Sequence, residues 1–234
     1  MNRTNWKLIL IFFMTLDHIA MAFLSPTAFL YQLMRFFGRC VAVSFCYLLV
    51  ESFQKTSSKK RFVERLLLFA LISYLPYVYF ETPFSYFNFD MMFTLLICFL
   101  MLMLLEKFKE ENMGENLSLL VVLGACILCI RCDWLFFAPL WCASFYMYKK
   151  KRQSKMVLLI CITSILFTWW KVYEDTGSIM NCIEQYWFCS GVFLFYIFQR
   201  VYNHQRGDKP LKYLFYIYYP LHLAVIDLIT MIKK

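Results

Sequence analysis

The sequence predicts an all-α fold, a polytopic membrane bundle of about nine transmembrane helices forming one domain over residues 1–234. Three observations carry that prediction. Of the 234 residues, 62% are hydrophobic and 21% aromatic, more apolar surface than a water-soluble fold of this size can hide. Apolar runs approaching the roughly 20 residues that a helix needs to cross a hydrocarbon core recur along the whole chain. The Lys and Arg residues gather in short segments between those runs. That placement decides what the formal net charge of +9 means, because short basic loops between spans suit an anionic lipid surface rather than nucleic acid.

The first span, Trp6 to Leu24, reads WKLILIFFMTLDHIAMAFL. It is too long and too charged internally for a signal peptide, and it has no convincing cleavage site. The second, residues 28–53, ends near Glu51, a snorkelling anchor for Arg61 or Arg65 in the next stretch. Residues 62–80 and 88–105 form the third and fourth. Lysines then occur in both 106–116 and 149–155, so the chain between them has to return to the side it left. Two short spans, 117–131 and 133–148, meeting at Arg131-Cys132-Asp133, satisfy that, although LSLLVVLGACILCI is short for a crossing. Residues 156–173, 182–203 and 211–231 complete the set, and Pro220 is expected to kink the last helix and free a carbonyl. With the N-terminus in the cytoplasm, 18 Lys and Arg lie on the cytoplasmic side and 4 outside, while Arg35 and Arg39 fall within the second span. That bias sets the orientation of a multi-pass protein of the cell (inner or plasma) membrane, with its C-terminus outside.

Most of the ten cysteines sit inside apolar runs, where they act as small hydrophobes. Cys126, Cys129 and Cys132 form a C-x2-C-x2-C run, but two of them lie within a span and no Cys-Pro follows, so neither a cluster nor any metal site is expected. Cys132, Cys182 and Cys189 fall near the outer face with no signal for a pairing.

The spans also carry charge. A charge at the centre of a membrane helix costs at least about 3 kcal/mol, so Asp17 and His18 must face protein or a wet cavity. At 1.5 Å per residue, His18 lies about 18 Å from the cytoplasmic end of its span, just past the midplane. Arg39 lies about 16 Å from the outer end of the second span, and His222 about 16 Å from the inner end of the last. Arg35 shares a helix face with Arg39. Asp17, His18, Arg35, Arg39 and His222 therefore occupy one layer, with Asp90, Asp133 and Asp227 further out.

This layer holds a base, His18 or His222; two cations for an anionic group, Arg35 and Arg39; and Asp17 to balance them. Adjacent helix positions diverge by about 100°, so Asp17 is expected to pair with Arg39 and not to orient His18. Histidine takes a proton from an amine or hydroxyl near neutral pH, and arginine binds phosphate or carboxylate through its planar fork. The combination fits acyl transfer, and a proton-coupled transporter nearly as well. The chain has no phosphate-cradling glycine loop, no G-x-S-x-G and no H-E-x-x-H. His204, in a basic loop, reads as solvated, and the aromatic run Tyr213 to Tyr219 as core and interface residues.

Four blocks in one order resemble the TraX family: TLDHIA; RFFGRCVAVSFCYLLVESFQKT running into RFVERLLLFALISYLP; NFDMMFTLLICFLMLMLLEK; and KYLFYIYYPLHL. CDWLFFAPLW agrees more weakly. The specific elements are Asp17-His18, Gly38-Arg39, Glu51, Arg65 with Pro76, Phe93-Thr94 and Tyr219-Pro220 with His222. Val43 and Ser52 stand where a proline and a closing glycine are expected, and Trp134-Leu135 where a Tyr-Gly pair is. The namesake of that family is a conjugation-linked membrane protein needed for N-terminal acetylation of pilin. The resemblance, which extends to a wider class of integral-membrane acyltransferases with an essential early histidine, implies acetyl transfer from cytoplasmic acetyl-CoA. The acceptor it implies is an amine or hydroxyl at the membrane or outer face, such as a pilin N-terminus. It implies His18 as general base, and His222 orienting the acceptor or relaying a proton. Arg39 would hold Asp17 or, with Arg35, an oxygen of the acyl donor. Cytoplasmic lysines could meet coenzyme A phosphates, though lipid anchoring accounts for them without a ligand. The rival reading is a transporter or a conjugative-pilus assembly factor without chemistry of its own; inverted repeats would favour a transporter, and none is visible.

Overall fold

The computed structural model describes residues 1–81, 88–205, 207 and 213–232. The described residues form ten α-helices: α1 (Arg3–Phe23), α2 (Phe29–Lys55), α3 (Lys59–Glu81), α4 (Met91–Glu110), α5 (Glu115–Leu128), α6 (Phe137–Met147), α7 (Lys150–Thr176), α8 (Ile179–Tyr186), α9 (Leu194–Val201) and α10 (Leu214–Ile232). Two 3-10 segments, Cys129–Arg131 and Trp187–Phe193, interrupt them, and no strand occurs among the described residues.

Six helices, α1, α2, α3, α4, α7 and α10, are long and apolar enough to cross a membrane. They carry the first four, the seventh and the last of the expected spans. Their outward side chains include Phe12, Leu75 and Leu228, each about 60% exposed (59, 63 and 59%), as a lipid solvent allows and water does not. The other three expected spans are assembled from shorter pieces. The fifth is α5 followed by a 3-10 turn. The sixth shrinks to the 11 residues of α6, about 17 Å of helix, because the backbone at Trp134 and Leu135 is left-handed (φ 65° and 48°) and Pro139 sits in the first turn. The eighth is cut into α8, seven residues of 3-10 helix, and α9. The expected start of the last span at residue 211 lies outside the described residues, as do Lys233 and Lys234 and residues 82–87 between the third and fourth expected spans. Helix α10 runs unbroken through Pro220.

The chain divides into two compact units, Met1–Ser44 with Cys161–Lys234, and Phe45–Ile160, the boundaries falling within α2 and α7. In the second unit α4 is central, packing against α3, α5 and α6. Phe62 stacks on Phe99 (4.5 Å, 3°), and Phe53 meets Phe99 edge-on at 5.2 Å. The polar ends segregate. Lys59 pairs with Glu106 at one end, and Glu51 is ion-paired there to Lys55 at 2.8 Å, one turn along its own helix. At the other end the Asp90 carboxylate caps α4, accepting from the Met92 and Phe93 amides at 2.9 and 3.0 Å and from the Ser73 hydroxyl. Phe89 bonds there to the turn between α5 and α6 through Arg131 O (2.8 Å) and the Asp133 amide (2.9 Å). That turn and the start of α4 thus share one end, and the lysine-bearing ends of α3 and α4 the other.

In the first unit α1 packs along α10. Trp6 is fully buried against Phe195, Phe198 and Tyr202 (4.8 Å to the last). The Met1 amino group donates to Val201 O at 2.6 Å, and the Arg3 amide to Gln205 O at 2.9 Å, tying the start of α1 to the end of α9.

Candidate functional site

The polar layer is built in the first unit by α1, the first half of α2, α10 and the 3-10 segment Trp187–Phe193. Asp17 and His18 are consecutive on α1 and so point to different neighbours. Asp17 faces α2, where its Oδ2 accepts from Arg35 Nη1 at 2.7 Å. Both side chains are largely buried, 16% and 12% exposed. The expected partner was Arg39, and the correction has a geometric reason. Phe13 against Phe37 (5.0 Å) and Asp17 against Arg35 show that α1 and α2 run antiparallel. Asp17 packs onto α2 at Gly38, and Arg35, one turn earlier on that face, reaches along the helix to the carboxylate, whereas Arg39, next to Gly38, leaves the helix about 100° further round. Gly38 makes room for the contact, since a β-carbon there would overlap the Asp17 carboxyl. The Arg39 guanidinium lies 5.0 Å from the centroid of the Phe188 ring, and that of Arg35 lies 5.2 Å from the same ring.

His18 faces α10, where its Nδ1 lies 2.7 Å from Nε2 of His222 and the two rings stack at 5.0 Å and 17°. His222 Nδ1 is 2.9 Å from the carbonyl oxygen of Tyr218, one turn back. A carbonyl only accepts, so donor–acceptor matching puts the proton of neutral His222 on Nδ1 and leaves its Nε2 an acceptor. His18 then donates from Nδ1, and its own lone pair falls on Nε2. Tyr218 stacks on the other side of His222 (5.2 Å, 8°), and its hydroxyl lies 2.7 Å from Oγ1 of Thr15. Thr15 Oγ1 donates to Ile11 O at 2.9 Å, so it accepts from Tyr218. A directed chain of hydrogen bonds thus joins His18 to His222 and Tyr218. It can orient one imidazole and spread the charge when that imidazole takes a proton.

All five residues of the expected layer stand in this unit. Asp90 and Asp133 belong to the second unit, and Asp227 is buried on α10 beyond His222. Among the described residues there is no group of three His, Cys, Asp or Glu placed to hold a metal ion.

The profile of the TraX protein family matches residues 2–230, which span every side chain of this site. The chain belongs to the TraX family. A relative named "Probable fimbrial assembly protein FimC, serogroup H1", from Dichelobacter nodosus, is 25% identical over 233 residues, covering 94% of this chain and 92% of its own. No solved structure matches.

Sequence reasoning did not single out Thr15, Tyr218 or Phe188 in this TraX-family chain. A signal existed for two. Thr15 stands three residues before His18 and Tyr218 four before His222, spacings that put each on the face of its histidine. Nothing in the sequence marks the 3-10 winding that delivers Phe188.

Proposed function

We propose that this TraX-family protein is a membrane-embedded acetyltransferase acting in pilus or fimbrial assembly, moving an acetyl group from cytoplasmic acetyl-CoA to an amine or hydroxyl acceptor. The observation that carries the reading is the ordered pair His18–His222, 2.7 Å apart and referred to a backbone carbonyl. It presents the lone pair of His18 Nε2 as a base within an apolar bundle. The acceptor nitrogen or oxygen attacks the thioester carbonyl carbon while His18 Nε2 takes its proton. The carbon–sulfur bond then breaks, and the departing coenzyme A thiolate recovers that proton from the imidazolium. His222 supports the charge on His18 in between, and Arg35 and Arg39 offer positive charge to oxygens of the acyl donor. The N-terminus lies in the cytoplasm, supported by the 18-to-4 bias of basic residues. About nine passages of the chain follow, the fifth, sixth and eighth made of short helices.

The test is incubation of the purified protein with radiolabelled acetyl-CoA and a panel of amine and hydroxyl acceptors, pilin-like N-terminal peptides included. Transfer by the wild type that His18→Ala abolishes supports the reading. A second reading, an assembly factor without chemistry, is favoured by the name of the FimC relative. It predicts no transfer to any acceptor, together with retention of pilus assembly in His18→Ala cells.

A further inference from the structure

Arg35 and Arg39 stand one turn apart on α2, a spacing at which like charges repel. The ring of Phe188 faces both. The guanidinium carbons lie 5.2 and 5.0 Å from the centroid of the same Phe188 ring, within the reach of a cation–π contact. Phe188 is 4% exposed, and Tyr31 meets it edge-on at 6.3 Å and 87°.

The local backbone explains how the ring gets there. Phe188 belongs to seven consecutive residues of 3-10 helix, where three or four is the usual limit. In this winding residues three apart eclipse, so Phe188 and Gly191 lie on one edge. A β-carbon at Gly191 would overlap the carbonyl oxygen of Phe36, the α2 residue next to Arg35. Glycine therefore permits a backbone-to-backbone contact that lays this edge against α2 and carries Phe188 onto the arginines. Trp187 against Phe36 (5.6 Å) flanks the contact.

We infer that Phe188 is a positioning residue that holds Arg35 and Arg39 as a fixed cationic pair by presenting one ring to both guanidinium groups. The ring excludes water from the cations and offers its negative face without neutralising them. With Asp17 balancing one of the two charges, the pair keeps a net positive charge, oriented for an acidic oxygen such as a phosphoryl or carboxylate group of a ligand. This inference deepens the role proposed above for the two arginines, and its test reads no acetylation, so either can fail alone.

Phe188 is replaced site-specifically by phenylalanines bearing one, two and three ring fluorines, which weaken the ring quadrupole at nearly constant shape. Thermal melting in detergent is followed for the series, in the wild-type background, in Arg39→Gln, and in the double variant Asp17→Asn with Arg35→Gln. The melting temperature is expected to fall stepwise, by about 4 °C in total, in the wild type. In each of the other two backgrounds the slope should be about half as steep. A flat series in the wild type, or an equal slope in all three backgrounds, overturns the inference.

Discussion

Breaking the contact between Asp17 and Arg35 is the sharpest test of the geometry in the first unit. Arg35→Gln removes the guanidinium whose Nη1 lies 2.7 Å from the Asp17 carboxylate and leaves that carboxylate only 16% exposed. At an effective dielectric constant of about 20, charges about 4 Å apart attract by about 4 kcal/mol. Removal of one partner of a buried pair typically costs about 3–5 kcal/mol, since the survivor keeps its desolvation penalty without compensation. For a chain of this length each kcal/mol moves the melting temperature by about 2–4 °C, so Arg35→Gln should lower it by about 6–20 °C. Asp17→Asn with Arg35→Gln leaves neither member of the pair charged and should melt above Arg35→Gln alone, with a coupling of about 2 kcal/mol or more in the double-mutant cycle. The parallel cycle of Asp17→Asn with Arg39→Gln should give a smaller coupling, because the 2.7 Å contact of the carboxylate is with Arg35. Both cycles are read by thermal melting of the purified protein in detergent. Strict additivity for Asp17 and Arg35, or a larger coupling with Arg39, would refute the direct contact between the first two.

Gly38→Ala should destabilise by about 1–3 kcal/mol, since its methyl group would overlap the Asp17 carboxyl; a melting curve superposable on that of the wild type would contradict the close approach of α1 to α2. His18→Ala should leave folding intact and lower acetyl transfer by about 10² or more, whereas His222→Ala should slow turnover less. Near-wild-type transfer by His18→Ala ends the proposed mechanism. Leu135→Gly should raise stability by about 0.5–1 kcal/mol, because Leu135 sits at φ 48°, a conformation that glycine adopts without strain; chemical denaturation checks the sign. In intact cells, a membrane-impermeant thiol reagent should reach a cysteine placed at Arg131 and fail to reach one at Ser57 or Gln153. Labelling at Gln153 would invert the assigned orientation.

The left-handed backbone at Leu135 shows how sequence and structure divide the information. The TraX-like pattern expects a Tyr-Gly pair at 134–135, and the structure supplies the reason that glycine suits the second position. The departure was readable as a departure, but its cost was not, because φ is a property of the assembled turn. The same division runs through the molecule. Run length and hydropathy are local quantities, and the solvent requirement acts on each helix separately. The sequence alone therefore determined the all-α class and, among its nine expected spans, the six that are long apolar helices; it also supplied the expected sidedness of the basic segments and the polar residues of the expected layer. Pairing is different. It depends on how far each helix is rotated and shifted against its neighbours, which many weak packing contacts set together. Only the tertiary structure decided that Asp17 meets Arg35 and not Arg39, and that His18 meets a histidine 204 positions away. It also decided that the eighth expected span breaks into a 3-10 segment, because only there does Gly191 lie against the Phe36 carbonyl. Periodicity can assign each of these side chains to a face, but the partner across that face belongs to another helix, and its register is a property of the packed bundle.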